Sequence, residues 1–432
     1  MWRNWSGTRT ARPVRTERPG STAEVADAVA RAARDGLRVK AVGSGHSFTG
    51  AAATDGVHLR MDALDRVVRV DAGSGLVTVE AGMPLHRLNR VLAAHGLAMT
   101  NLGDIDRQTV SGAISTGTHG TGARSGSLAA QVTELELVLA DGSAVRCSAA
   151  KRPELFRAAR IGLGALGVLT RVTLACEPAF ALHAVEMPMR LGSVLGRLDE
   201  LTAANEHFEF YWFPHTDRTL TKRNNRLPRG APVRPLGRGR AWFEDAFLSN
   251  TLFEGVNRLG TVLPRAIPRL NAVSSRALAP RAYSDASHRV FTSPRHVVFR
   301  ELEYAVPRDA LVPVLRDVRR WVDRSGEHIA FPVEVRFAPA DDIWLSTAHG
   351  RDTAYLAVHQ YHRRPHERYF RAVAALADAV GGRPHWGKLH WLTAAQLRGR
   401  YPRFEDFRRV RAAVDPDGTF TNAYLDRVLG GP

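Results

Sequence analysis

The sequence predicts an α+β protein of two domains, and three observations carry that prediction. At 432 residues the chain exceeds what one compact core organises. Strand-like and helix-like runs come in blocks, without a regular strand–helix–strand alternation. The pattern also changes near Pro178. Longer strands then appear at 208–213, 297–304 and 332–337, with helices over 191–205, 308–324 and 366–379, as expected of an antiparallel sheet with helices.

The first helix is expected over 20–36, where Ser21 or Thr22 can cap it, Glu24 lies early and Gly36 ends it. An alternating strand, 37–42, follows and runs into Gly43-Ser44-Gly45-His46-Ser47-Phe48. Two glycines two apart let the backbone turn sharply, and free N–H groups beside the Ser44 and Ser47 hydroxyls suit a phosphate. His46 at the centre can ligate, relay a proton or form a covalent bond. Strands are expected at 57–61, 66–71 and 76–81, the last two joined by the Ala72–Gly75 turn, then a helix over 84–95.

Asn101 to Gly126 is dense in Gly, Ser and Thr and reads as an extended, hydrogen-bonding loop. Val110, Ala113, Ile114 and His119 are more than a solvated linker needs, so the loop is expected to line a ligand. Strands resume at 132–139 and 144–147 through the Asp141-Gly142 turn, and a helix covers 153–160. Gly162 to Gly167 matches GxGxxG, but a helix precedes it and a strand, 168–174, follows, the reverse of a dinucleotide fingerprint. Lys222 to Arg240 is basic and free of acidic residues and reads as an exposed loop.

Composition narrows the function classes. The chain is 44% hydrophobic and 24% charged, an ordinary globular balance, and its net charge of +17 favours anionic partners. Arginines are spread along the chain, so no specific nucleic-acid partner is expected; a binding module for anionic polymers rests on charge alone. Neither a signal-like apolar core nor a membrane-length apolar run occurs. Cys147 and Cys176 have no metal-ligand spacing and make no disulfide framework, which fits a reducing cytoplasm. Absence of G-x-S-x-G and of a P-loop removes the main support for a serine hydrolase or a nucleotide triphosphatase.

Three clusters can carry chemistry. Glu334 and Arg336, two apart on a strand, share a face and can form a polar floor for substrate hydroxyls. His385-Trp386-Gly387-Lys388 follows a Gly-Gly-Arg-Pro turn and can bring a cation to a ligand. His359, His362 and His366 tempt a metal reading, but Val358–Tyr361 looks like a strand end and no metal is expected.

Taken together, VGSGHSF (Val42–Phe48), GAISTGTHGTG (Gly112–Gly122), GALGVLTRVTL (Gly164–Leu174), VEVRF (Val333–Phe337), HWGK (His385–Lys388) and DPDGTFTNAYLDRVLG (Asp415–Gly430) resemble the flavin-linked aldonolactone oxidoreductases. That family comprises L-gulono-1,4-lactone oxidases and dehydrogenases, D-arabinono-1,4-lactone oxidases and alditol oxidases. HFEFYWFP (His207–Pro214) and Leu345–Tyr361 resemble the actinobacterial L-gulonolactone dehydrogenases in particular.

The resemblance implies a two-domain vanillyl-alcohol-oxidase/PCMH-type FAD-binding fold with an α+β cap on an antiparallel sheet. FAD would bind to residues 10–178, the substrate domain would be 179–395, and 396–432 would return to the FAD domain. It implies covalent FAD on His46. Val42, Gly43, Ser44, Gly45 and Ser47, together with Thr116, Gly117, Thr118 and His119, would hold phosphates and flavin. Asp104, Thr109, Gly112, Val168 and His385 match further cofactor positions. Glu334, Arg336 and Lys388 match catalytic residues that also bind substrate, with His359 beside them.

A CH–OH group of a sugar 1,4-lactone would give its hydride to flavin N5, and the electrons would pass to O2 or an electron-carrier protein. Gly103 would leave room for oxygen. Alditol oxidases carry serine at the Asp104 position and threonine at the His359 position. The second departure argues against an alditol, which stays as the alternative with other polyols and biosynthetic tailoring of sugars.

Overall fold

The computed structural model describes residues 1–237, 253–293 and 297–431. The first 180 residues build two main sheets, beside two two-stranded pairs, Trp2–Arg3 with Thr10–Ala11 and Leu97–Ala98 with Glu177–Pro178. A three-stranded parallel sheet runs in the order Arg15–Glu17, Val57–Arg60, Val39–Val42. A five-stranded antiparallel sheet has the order Ala144–Ser148, Val132–Val138, Val168–Ala175, Leu76–Glu80, Val67–Asp71. Helix Thr22–Arg34 begins where the Ser21 side chain accepts from the Glu24 N–H. Its buried residues, Val25, Ala28, Val29 and Ala32, repeat at three and four, the spacing of one helical face. That face packs on Val39, Val57 and Leu59.

From Ala181 onward the strands enter one eight-stranded sheet. Its order is Arg281–Ala286, Ala181–Arg190, Arg218–Arg226, His207–Trp212, Val333–Ala338, Thr353–Tyr361, Phe299–Pro307, Arg383–Pro384. Every pairing in it is antiparallel. Successive side chains alternate in face. Phe208, Phe210, Val333, Val335 and Phe337 therefore point together, onto helices Leu311–Ser325 and Glu367–Asp378 through Val314, Val318, Phe370 and Val373. Burying each such side chain stabilises the fold by roughly 1.5–3 kcal/mol. The opposite face is left for polar residues.

The chain ends among the first sheets. Helices Phe404–Val414 and Ala423–Leu429 bury Phe407, Leu425 and Val428 with Val77 and Leu135. Asn422 caps the last helix, accepting from the Leu425 N–H at 2.9 Å. Its amide also donates to the carbonyls of Gly50, Ala51 and Ala53 at 2.8–3.1 Å.

The structure corrects three sequence expectations. The segment 101–126 is not extended throughout. It holds helix Val110–Ser115, started by Thr109, whose hydroxyl accepts from the Gly112 N–H, with Val110, Ala113 and Ile114 buried. The helix expected over 191–205 is two helices, Leu191–Gly196 and Leu198–Ala203, meeting at Arg197, whose ψ of 21° leaves the helical region. Lys222 to Arg226 is no loop. It ends strand Arg218–Arg226, where pairing on both sides satisfies the backbone. The irregular chain starts at Leu227, and residues 238–240 of the expected loop lie outside the described residues.

Asn422→Ala is expected to lower unfolding free energy by about 2 kcal/mol, from the lost cap and the unpaired carbonyls. An unchanged urea midpoint would show that the last helix docks without it.

Candidate active site

Two cavities meet between the glycine loops and the polar face of the large sheet. The smaller, about 120 Å³, is lined by the Val42–Ser47 turn, Thr109, Gly112, Thr116 and Gly164. The larger, about 730 Å³, receives Asp104, Thr118, His119, His359 and His385, with Glu334, Arg336 and Lys388. His46, Ser47, Gln108 and Thr116 line both.

The turn is shaped for a ligand. Gly45 has φ +66°, and a Cβ on Gly43 would lie 2.1 Å from Thr109 Oγ1, so both positions require glycine. The N–H groups of Ser44, Gly45, His46 and Ser47 find no acceptor among the described residues. A run of free donors on a glycine turn is a cradle for a phosphate. The His46 ring stacks on Trp5, centroids 5.6 Å apart. Burial pushes its pKa down to about 4, aided by the charges of Lys388 and Arg107, so the imidazole is neutral near pH 7.

Pairing register builds the polar face. Tyr211 lies opposite Glu334, Arg336 opposite Tyr355, and Glu301 opposite His359. Period two then puts Glu209 with Tyr211, Glu334 with Arg336, and Glu301 with Glu303 on the cavity side. Arg336 is 8% exposed and held by three carboxylates. Its Nε donates to Glu209 Oε2 at 3.0 Å, its Nη2 pairs with Glu334 Oε1, and Asp104 Oδ1 lies 3.6 Å away. Tyr211 donates its hydroxyl to Glu209 and Glu334 at 3.3 and 3.2 Å. Lys388 Nζ pairs with Glu301 Oε2. His359 Nε2 stands 3.5 Å from Glu301 and 4.0 Å from Glu334.

The charges follow from these partners. Burial works against the Arg336 cation, but Glu334, Asp104 and Glu209 more than offset it and its pKa rises. Lys388 likewise loses to burial and gains more from Glu301 and Glu303, so it stays charged. Glu334 moves upward: burial raises it, the Arg336 charge opposes, and Asp104 and Glu209 add repulsion. Glu301 goes the other way, to about 2. Burial would raise it, but Lys388 and His359 outweigh burial. One carboxylate on this face is thus made more basic while its neighbour is held ionised.

Most of the residues expected from sequence meet here, and two do not. The Val168 side chain is buried with Val25, Val39 and Val57, and its neighbours Gly167 and Leu169 reach the smaller cavity instead. Gly117 lines neither cavity. Sequence reasoning missed Glu209, Tyr211, Glu301 and Glu303, although each alternates with apolar residues inside a segment read as strand.

The family of D-arabinono-1,4-lactone oxidase matches residues 172–428, and an FAD binding domain matches residues 13–148. L-gulono-1,4-lactone dehydrogenase of Mycobacterium tuberculosis is 45% identical, over 100% of this chain and 99% of its own. The chain belongs to the flavin-linked aldonolactone oxidoreductases. L-gulonolactone oxidase of Bos taurus is 36% identical, over 99% of this chain and 98% of its own. Alditol oxidase of a Streptomyces species is 35% identical, over 99% of each. Among solved structures, cholesterol oxidase from Brevibacterium sterolicum superposes with a TM-score of 0.81 at 18% identity, over 99% of this chain and 96% of that one. This family member is an FAD-dependent oxidoreductase acting on CH–OH donors, and its fold is of the vanillyl-alcohol-oxidase/PCMH type.

The glycine turn fits FAD by its free donors and its tight backbone. A metal is a poorer fit at the one cluster of ligand-type groups among the described residues, His119, Glu303 and His385, whose ligand atoms lie within 4.8 Å of one another. His119 Nδ1 faces Gly120 O at 2.8 Å and its Nε2 faces Glu303 Oε1 at 2.6 Å. Each ring nitrogen is thus already engaged by a protein oxygen. In the triplet His359, His362 and His366, already set aside as a metal site, His362 Nδ1 bonds Val298 O, while His366 Nδ1 accepts from Arg300.

Stability should carry the mark of Glu301. Its folded pKa of about 2 lies below the ordinary 4.5, so its contribution is full above pH 4.5 and is lost as pH falls from there toward 2. Glu301→Gln is expected to flatten the acid limb of a stability–pH curve followed by tryptophan fluorescence. Parallel acid limbs for the two proteins would refute the paired state.

Proposed function

We propose that this enzyme oxidises a carbinol of an aldono-1,4-lactone, of the L-gulono-1,4-lactone or D-arabinono-1,4-lactone type. The observation that carries the reading is the Arg336–Glu334 pair, buried on the sheet face toward the cavity that His46 and His119 also line. The names of the relatives supply the substrate class.

FAD, when bound, supplies the two-electron sink for the carbinol hydride. The protein's own residues do the rest. Arg336 stays ionised and stabilises negative charge developing on the substrate oxygen. Glu334, made more basic by burial, takes the hydroxyl proton. Lys388, fixed by Glu301, adds positive charge from the turn after Arg383–Pro384. His359 faces both carboxylates and borders the substrate.

We assign His46 as the covalent anchor of the cofactor. A neutral ring, without a hydrogen-bond partner among the described residues and open to both cavities, offers the lone pair that such a bond needs. Electrons then leave to O2 or to an electron-carrier protein. A cytoplasmic setting fits the two free thiols, both pushed up to about 12 by burial, and no described helix is long and apolar enough to cross a membrane.

Turnover on L-gulono-1,4-lactone and D-arabinono-1,4-lactone is expected to exceed turnover on xylitol; the reverse order would transfer the assignment to alditols. Arg336→Ala is expected to lower kcat by about 10²–10³-fold with flavin content unchanged. Near-normal kcat would remove Arg336 from the chemistry. Flavin is expected to stay with acid-precipitated protein and to appear in the supernatant for His46→Ala. Release from the parent protein would defeat the covalent assignment alone.

A further inference from the structure

Residues 2–11 close over the glycine turn and engage the groups that the turn does not offer to a cofactor. The N–H groups of Ser44 to Ser47 have no acceptor among the described residues, whereas the carbonyls beside His46 are taken. Trp5 N–H donates to Gly45 O at 2.8 Å, the Asn4 side-chain amide to Ser47 O at 2.9 Å, and the Thr8 hydroxyl to Phe48 O at 2.8 Å. His46 is thus held through the residues on either side of it. The segment is itself braced. Strand Trp2–Arg3 pairs with Thr10–Ala11, and the buried Asn4 side chain also accepts from the Arg9 N–H at 3.0 Å. A buried amide bonded at both its ends fixes the segment against the turn.

What this segment lays on His46 is the ring of Trp5. The two ring planes are inclined by only 29°, a stacked pair. A histidine ring is ordinarily oriented by a hydrogen bond to one of its nitrogens. His46 has no such bond among the described residues, so the indole face sets its plane. Trp5 is set in turn by edge contacts with Phe48, at 6.2 Å and 83°, and with Phe299, at 5.4 Å and 73°. Phe299 begins the strand that carries Glu301 and Glu303. Trp5 is half-buried and lines the larger cavity, so it is more than filler for a core. Stacking covers a face of the imidazole and leaves its edge, where the nitrogen lone pairs lie, to the cavity. Trp2 does nothing comparable: it meets His58 edge-on at 5.3 Å and lines neither cavity.

We propose that Trp5 is a positioning residue that aims the His46 imidazole for its bond to the flavin. The inference rests on the reading of His46 as the covalent anchor. That bond joins an imidazole nitrogen to a ring-methyl carbon of the flavin. The carbon and the imidazole each give up a proton, the two electrons stay on the flavin, and the electron acceptor of the ordinary reaction removes them. The lone pair must point at the carbon, and a ring free to turn about its Cβ–Cγ bond points elsewhere most of the time. The role demands a flat face. An aliphatic side chain can fill the space of Trp5 but cannot hold a second ring parallel to itself.

The test compares Trp5→Phe with Trp5→Leu, which both keep apolar volume while only the first keeps a flat face. Full-length protein from riboflavin-starved cells is given FAD. Flavin in the acid precipitate is followed with time, beside total bound flavin after gel filtration. Parent and variants are expected to bind FAD to the same stoichiometry. Covalent incorporation should stay close to the parent rate in Trp5→Phe and slow by about 10²-fold in Trp5→Leu. Trp5→Met repeats the aliphatic arm should Trp5→Leu fail to fold. Equal rates in the aromatic and aliphatic variants would reduce Trp5 to packing and overturn the proposal, whether both match the parent or both fall. Loss of bound FAD from the aliphatic variants would also overturn it, because Trp5 would then support the turn as a whole. A parent whose flavin all leaves with acid would sink the covalent reading and this inference with it, and the parent arm alone decides that.

Discussion

Arg336 keeps its charge where burial opposes it, and the geometry of the site depends on how. A guanidinium moved into the interior without partners costs several kcal/mol, and the enzyme offsets that with carboxylates drawn from three places. Glu334 comes from the same strand, Glu209 from the strand beside it, and Asp104 from the loop of the first half. Each lies within 3.6 Å of the guanidinium. The buried charge is therefore compensated only while all three segments are assembled. Lys388 repeats the arrangement with Glu301 from a neighbouring strand. Two cations are fixed in direction, and little reorganisation is left for the moment of reaction.

The same constraint separates what could be read locally from what could not. Glu334 and Arg336 are two apart, so one strand suffices to place them together. Glu209 lies more than a hundred residues before Arg336, and Glu301 is nearly as far before Lys388. Their partnership exists only through the strand order of the large sheet, which no local pattern encodes. The glycine turn at Gly43–Gly45 was readable because the need for glycine is a property of the backbone at that point. Helix Val110–Ser115 escaped because six residues rich in Ser and Gly carry almost no helical signal; Thr109 and the core decide it. Strand Arg218–Arg226 escaped because a basic run looks solvated, yet neighbours on both sides use its backbone. Val168 was placed at the cofactor by motif position, whereas alternation along its strand turns its side chain into the core.

The two halves are held together at the site itself. Ser47 and Phe48 on the glycine turn donate to the Gly387 carbonyl at 3.2 and 2.7 Å, one residue before Lys388. On the other side, His119 of the second glycine-rich loop bonds Glu303 of the sheet. Glu303 is held below the ordinary carboxylate range: burial would raise it, but His119 and His385 prevail. Cofactor loops and the charged face are thus mutually located by hydrogen bonds across their border, and a shift of either would be felt by both.

This joining argues for where specificity resides. Residues that tie loop to sheet, His119, Glu303 and Gly387, are committed to position and leave little room for variation. His359 is different. Its Nδ1 faces Pro332 O at 3.3 Å, its edge lies against Phe299, and its Nε2 reaches Glu301 and Glu334 only at 3.5 and 4.0 Å. A shorter side chain there would vacate space beside the Glu334–Arg336 pair and leave every clamp on the two cations in place. Replacement at this position would therefore leave the frame that fixes Arg336 and Lys388 unchanged.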